Sequence, residues 1–116
     1  MNKLKNVKYE NKEKLLSLLG LATRARKTSI GSDTCLKMIS SKKAFLVFVA
    51  NDASEGTIKK FNDKCSYYNI LLDLSLDSVE LNQAVGKSNA KVLTINDLGF
   101  ANNIKKIIKD GVKYEG

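Results

Sequence analysis

Between positions 24 and 37 the chain reads Arg24-Ala-Arg26-Lys27-Thr-Ser-Ile-Gly31-Ser32-Asp33-Thr34-Cys-Leu-Lys37. Three cations precede a glycine-led helix start, and Lys37 follows Asp33 by one helical turn, on the same face. The free N–H groups and partial positive charge of a helix N-terminus suit a phosphate or a guanine edge. Gly31 would let a nucleic-acid backbone approach closely. The plainer alternative is a capped helix whose Asp33–Lys37 surface pair contributes only ~0.3–0.5 kcal/mol.

Other groupings carry less. Gly86-Lys87-Ser88 has the tail of a phosphate-binding loop, but Leu81 stands where that motif needs its first glycine, and the triplet follows a helix rather than a strand. Gly86-Lys87-Ser88-Asn89-Ala90-Lys91 reads better as a helix-to-strand turn with lysines at its tip. Asp52, Asp73 and Asp97 fall near the carboxyl ends of predicted strands and could together hold Mg²⁺. Asp52 and Asp97 are explained more simply as turn or cap residues leading into helices. Cys35 and Cys65 lie on apolar helix faces and are expected to be buried, inert packing. Tyr67-Tyr68 ends a predicted helix, where core packing of one ring accounts for the pair without a stacking platform. With no His and no CxxC spacing, a zinc site or a hydrolase with a His base is excluded.

The elements that must position these residues follow from periodicity. Leu15, Leu18, Leu19 and Ala22 mark one face of a helix over residues 10–25. A short extended piece, 27–30, leads to Gly31, and Ser32-Asp33 is expected to cap a helix with Cys35, Met38 and Ile39 inward. Phe45-Leu-Val-Phe-Val49 is a strand covered on both faces. Asn51-Asp52-Ala-Ser54 is a turn and cap, and Ile58, Phe61, Cys65 and Tyr68 mark the next helix. Strand 70–74, helix 78–85, strand 91–95 and a last helix capped by Asp97, with Ala101, Ile104 and Ile108 inward, complete the rhythm. Strands alternating with helices predict a mainly parallel sheet with right-handed crossovers. The fold class expected is α/β, a three-layer α/β/α sandwich with a mixed sheet of about four strands, one of them short. One domain, 1–116, is expected, with a loose basic arm at 1–9 and a tail at 110–116.

Charge is the first positive clue to a partner. The net is +8, carried unevenly: residues 1–43 are +8, residues 44–86 are −3 and residues 87–116 are +3. A basic surface joined to a neutral or acidic one points to a polyanion, nucleic acid before membrane. The alternative is a lysine-rich solubilising surface. The charged start lacks the apolar stretch of a signal peptide, and the longest apolar run is far short of the ~20 residues that span a bilayer. The expectation is a cytoplasmic protein with reduced cysteines.

Several separated motifs then fit one pattern: Leu18-Leu-Gly-Leu-Ala-Thr-Arg-Ala-Arg-Lys27, the segment from Gly31 to Lys37, Val49-Ala-Asn-Asp-Ala-Ser54, Asp63-Lys-Cys-Ser-Tyr-Tyr68, Ala84-Val-Gly-Lys87 and Asp97-Leu-Gly-Phe-Ala101. Over about residues 14–109 the chain resembles the small bacterial YlxQ-type proteins of the ribosomal L-seven-Ae superfamily. The resemblance implies an α/β/α sandwich that binds structured RNA, typically a kink-turn, a bent duplex with tandem sheared G·A pairs beside a bulge. Family members dock the N-terminal end of their second helix on those pairs, which here maps to Gly31, Ser32, Asp33, Thr34 and Lys37. Asn51-Asp52 matches the element that helps hold a bulged base, and the loop 86–92 the one that covers flipped-out nucleotides. Archaeal and eukaryotic relatives usually carry Asn-Glu where this chain has Asp33-Thr34. An Asp accepts from a guanine amino group but cannot also donate as Asn does.

The function expected is therefore non-enzymatic binding of structured RNA by a ribosome-associated monomer, with no catalytic residue, no metal, no cofactor and no membrane partner. Arg24, Arg26, Lys27, Lys37, Lys87 and Lys91 would contact phosphates, Gly31 to Thr34 would face base edges, and Asn51, Asp52, Ser88, Asn89 and Ala90 would complete the surface. Two alternatives stand beside it. One is a ribosome- or protein-bound scaffold using the acidic middle segment, with little intrinsic RNA specificity. The other is a Mg²⁺-dependent phosphotransfer enzyme built on Asp52, Asp73 and Asp97.

Overall fold

The computed structural model describes residues 9–109. The basic arm expected at 1–9 lies outside them except for Tyr9, which opens a helix, and so does the tail at 110–116.

Helix α1, Tyr9–Arg24, buries Leu15, Leu19 and Ala22, the stripe its spacing predicts. A turn with Arg26 in a left-handed conformation (φ 63°) leads to strand β1, Thr28–Ile30. Helix α2, Ser32–Ser40, starts differently from the expectation. Its N-cap is Gly31, and no side chain caps it. The backbone there, φ 101° and ψ 148°, is one that only glycine adopts without strain, so the turn is made one residue earlier and Ser32 and Asp33 fall inside the first helical turn.

Strand β2, Leu46–Val49, is buried throughout, as a continuous apolar run should be. Helix α3, Glu55–Tyr68, is capped by Ser54, whose Oγ accepts from the Thr57 N–H at 3.1 Å, and strand β3, Leu71–Asp73, follows. Helix α4, Ser78–Val85, begins with a reciprocal Asp77–Glu80 capping box. Strand β4, Val92–Ile95, leads to helix α5, Leu98–Lys109, where Asp97 accepts from the Phe100 N–H as expected of its cap. Among the described residues no helix is long and apolar enough to cross a membrane.

The four strands form one mixed sheet in the order β1-β4-β2-β3. The expectation of a mainly parallel sheet does not hold: β2 and β3 are parallel, but β4 runs antiparallel to both β1 and β2. The cause is the turn after α4. It delivers the chain to the end of the sheet where β2 and β3 finish, so β4 must run back between β1 and β2. The layers are those predicted. Leu46, Phe48, Leu93 and Ile95 face α1, α4 and α5, while Val47, Val49 and Val92 face α2 and α3. Helices α1 and α4 approach closely, since a Cβ on Gly20 would sit 3.0 Å from the Ala84 carbonyl oxygen. Lys12 and Glu80 form an ion pair across the same two helices.

Candidate functional site

The end of the sheet where β1 and β2 finish and β4 begins gathers three of the predicted segments. The Gly31 N–H donates to the Val92 carbonyl at 3.1 Å, which seats the start of α2 beside the start of β4. The Ala50 N–H donates to the Lys91 carbonyl at 2.8 Å, which brings in the turn after β2. Asp33, Thr34, Lys37, Asp52, Lys87, Ser88, Asn89 and Lys91 are all exposed at or beside this junction. The first N–H groups of α2, from Ser32, Asp33 and Thr34, have no acceptor within their own helix and no capping side chain, so they are free to meet an acceptor from outside.

Two groups that sequence reasoning did not assign hold this surface in shape. Buried Asn82 accepts from the Ala90 N–H at 2.8 Å and donates to the carbonyls of Ala90 (3.0 Å) and Ser78 (2.7 Å). These bonds pin the loop 86–91 back onto α4. Ala90, expected on the binding surface, is buried as the anchor of that loop, while Lys87, Ser88 and Asn89 are presented outward. The available signal was an amide lying between Leu81 and Val85 on a short apolar helix. Ser78 is the second group. Asp52 does not cap α3; its carboxylate accepts from the Ser78 N–H at 2.9 Å and the Ser78 hydroxyl at 2.6 Å. The hydroxyl bond, against an opposing desolvation effect and aided by the Ser78 N–H and the Lys91 charge, holds the Asp52 carboxyl below its ordinary value. Asn51 is tied by its N–H to Leu76 and by its side chain to Leu74.

The remaining predicted cations lie elsewhere. The Lys27 carbonyl accepts from the Asn96 N–H at 2.8 Å, at the opposite end of β1 from Gly31. Four extended residues separate their backbones by about 13 Å. Arg26 adjoins Lys27, and Arg24 lines a groove of about 480 Å³ between α1 and α4, beside Leu16, Gly20 and Glu80.

The carboxylates considered for Mg²⁺ are dispersed for the same topological reason. Because β4 runs antiparallel, Asp97 is at the other end of the sheet from Asp52 and Asp73. Asp73 is buried and accepts from the N–H (2.9 Å) and hydroxyl (2.6 Å) of Ser75, and burial raises its carboxyl above the ordinary value against those bonds. Among the described residues no group of His, Cys, Asp or Glu is arranged to hold a metal ion. Cys35 and Cys65 are free thiols buried between α2, α3 and the sheet, and burial pushes both up to about 12. Tyr68 packs partly into that same core, as expected of one ring of the pair, whereas Tyr67 is left 80% exposed.

Known proteins resemble this chain over most of its length. Residues 13–105 match the model of the Ribosomal protein L7Ae/L30e/S12e/Gadd45 family. The chain is 43% identical over 99 residues to a protein of Enterococcus faecium named RNA-binding protein YlxQ, a match covering 85% of this chain and 95% of that one. It is 40% identical over 91 residues to the protein of the same name from Bacillus subtilis (strain 168), covering 78% and 91%. Among solved structures, a Bacillus halodurans C protein described as of unknown function superposes with a TM-score of 0.80 at 35% identity, covering 83% of this chain and 97% of that one. The Giardia lamblia 15.5kD RNA binding protein shares the fold at a TM-score of 0.77 and 20% identity, covering 94% and 93%. Sequence and sandwich agree over nearly the whole described length: the chain belongs to the Ribosomal protein L7Ae/L30e/S12e/Gadd45 family.

Proposed function

We propose that this chain is a non-enzymatic, cytoplasmic RNA-binding protein that recognises a kink-turn or related bent motif, in association with the ribosome. The observation that carries the reading is the junction itself: an uncapped α2 N-terminus bonded to the start of β4 and ringed by the loop 86–91 and the turn at Asn51–Asp52. The names of the two curated relatives support RNA as the ligand class.

In this reading Gly31, Ser32, Asp33 and Thr34 meet the edges of the G·A pairs, where a kink opens a groove that regular duplex keeps closed. Lys37, Lys87 and Lys91 neutralise phosphates on either side. Ser88 and Asn89 cover an unstacked nucleotide, and Asn51 with Asp52 supports it from below. Arg24, Arg26 and Lys27 contribute only where the RNA extends beyond this junction.

The test is binding to a short kink-turn RNA at ~0.1 M salt with Mg²⁺, against a control whose G·A pairs are replaced by Watson–Crick pairs. A preference of about 2–3 kcal/mol is expected. Lys37→Ala should weaken binding by ~1–3 kcal/mol, while Lys106→Ala on α5 should leave it unchanged. Equal, weak, salt-sensitive binding to both RNAs would overturn the reading in favour of a scaffold.

A further inference from the structure

The opposite end of the sheet holds cations and aromatic rings that the junction above leaves unused. There the Asn96 N–H donates to Lys27 and the Phe45 N–H donates to Ile95, both at 2.8 Å. Lys27 and Phe45 therefore flank the end of β4, two strand spacings or about 10 Å apart. Exposed Arg26 and Lys27 lead into one side of this end, and exposed Lys42 and Lys43 into the other. Beside them opens a cleft of about 360 Å³ lined by Lys42, Phe45, Tyr68, Ile70 and Lys105. Tyr67 stands next to it, 80% exposed, with its ring meeting that of Tyr68 edge-on at 4.9 Å.

Among the described residues, no carboxylate lines this cleft, and two on the flanking elements are engaged in other contacts. Asp97 caps α5, and Asp63 on α3 is paired with Lys59. Among the described residues neither Lys42 nor Lys105 makes an ion pair.

The combination selects among polyanions. An acidic peptide or a lipid headgroup would use the lysines but not the flat aromatic surface. A duplex would present phosphates but keep its base faces stacked. Unpaired nucleotides use both, since a base stacks on an aromatic ring while its neighbouring phosphates lie against lysines. The cleft volume is also in the range of pockets that take a group the size of a nucleotide. We propose that this end of the sheet is a second nucleic-acid surface, binding a single-stranded RNA segment with a base on Tyr67 or in the adjoining cleft and phosphates on Lys42, Lys105, Lys43 and Lys27. The choice of RNA over other nucleic acid rests on the RNA-binding reading above; the surface itself does not depend on kink-turn recognition. About 13 Å of sheet lies between the two ends, so an RNA seated at α2 must extend past the junction to reach the second surface, and only an unpaired segment offers it a free base face.

The probe is an unstructured oligouridylate of about ten nucleotides, followed by fluorescence anisotropy with the full chain. The double variant Lys42→Glu with Lys105→Glu should weaken its binding about tenfold or more, and Tyr67→Ala about fivefold or more, without a change in melting temperature for Tyr67→Ala. Lys37→Ala should leave oligouridylate binding unchanged, and Tyr67→Ala should leave binding of a fully paired kink-turn RNA unchanged. The proposal is overturned if Tyr67→Ala binds the oligonucleotide like the parent chain, or if Lys37→Ala costs as much as the charge reversal. It is equally overturned if polyglutamate of matched charge displaces the probe as well as unlabelled RNA does. Loss of kink-turn preference with oligouridylate binding intact would remove the function proposed above and leave this surface standing.

Discussion

Asp73 ends the edge strand β3 and Asp52 follows the end of its neighbour β2, and folding acts on their charges in opposite directions. Burial raises the Asp73 carboxyl, so the native state favours its neutral form. The stability this contributes is fully present below the unfolded value of 3.8 and is lost as pH rises through the higher folded value. Asp52, lowered chiefly by the Ser78 hydroxyl, contributes stability above 3.8 that is lost as pH falls through its lower folded value. Asp73→Asn keeps an oxygen to accept from Ser75 and carries no charge. It should therefore be more stable than the parent at pH 7, with the gain vanishing near pH 3, in urea denaturation at both values. Asn82 makes the other residue-scale case. Asn82→Ala strips the partners from Ala90 and Ser78 and should cost about 2–4 kcal/mol, with faster hydrogen exchange at the Ala90 amide. What could be read at this scale was whatever a residue's neighbours decide. Asp97 caps the helix that follows it, as its position predicts. Asp52 looked the same, yet its partner is Ser78, 26 residues onward, and no local pattern reports a contact that only the fold creates.

At the scale of elements, periodicity carried far. The leucine stripe of α1, the continuous run of β2 and the inward face of α5 each encode their own burial, and each formed where the spacing placed it. Strand direction is encoded nowhere in a single segment. Val92 to Ile95 reads as a buried strand whichever way it runs, and only its insertion between β1 and β2 makes it antiparallel to both. The candidate site inherits that difference. Gly31 and the lysines of the loop 86–91 meet because β4 begins at the end of the sheet where β1 finishes. Lys27, four residues from Gly31 in sequence, is sent to the far end by the strand between them. Gly31→Ala tests the element-level consequence: a Cβ at φ 101° strains the α2 entry, so stability should fall by about 1–3 kcal/mol. Kink-turn affinity should fall with it, measured at a temperature where the variant remains folded.

For the whole molecule, the net charge of +8 describes no one surface. Lys37, Lys87 and Lys91 lie at the α2 end of the sheet, while Arg26, Lys27, Lys42, Lys43 and Lys105 lie at or beside the other. Binding of a compact kink-turn should therefore release few counterions, with a slope of log K against log salt of about −2 to −3. Adding an unpaired flank should steepen that slope, and an identical slope for both RNAs would show that the flank touches nothing.

Gly20 has no place on either surface, yet it governs one of them. A methyl group there would meet the Ala84 carbonyl at 3.0 Å, so the last turn of α4, where Ala84 sits, would have to give by a few tenths of an ångström. That turn runs through Gly86 into the loop 86–91, so the displacement is expected to carry into the start of the loop. Lys87 would shift without any change of its own chemistry. The seam between α1 and α4 thus bears on where the loop starts, and Gly20→Ala is expected to change RNA affinity while every contacting residue stays the same.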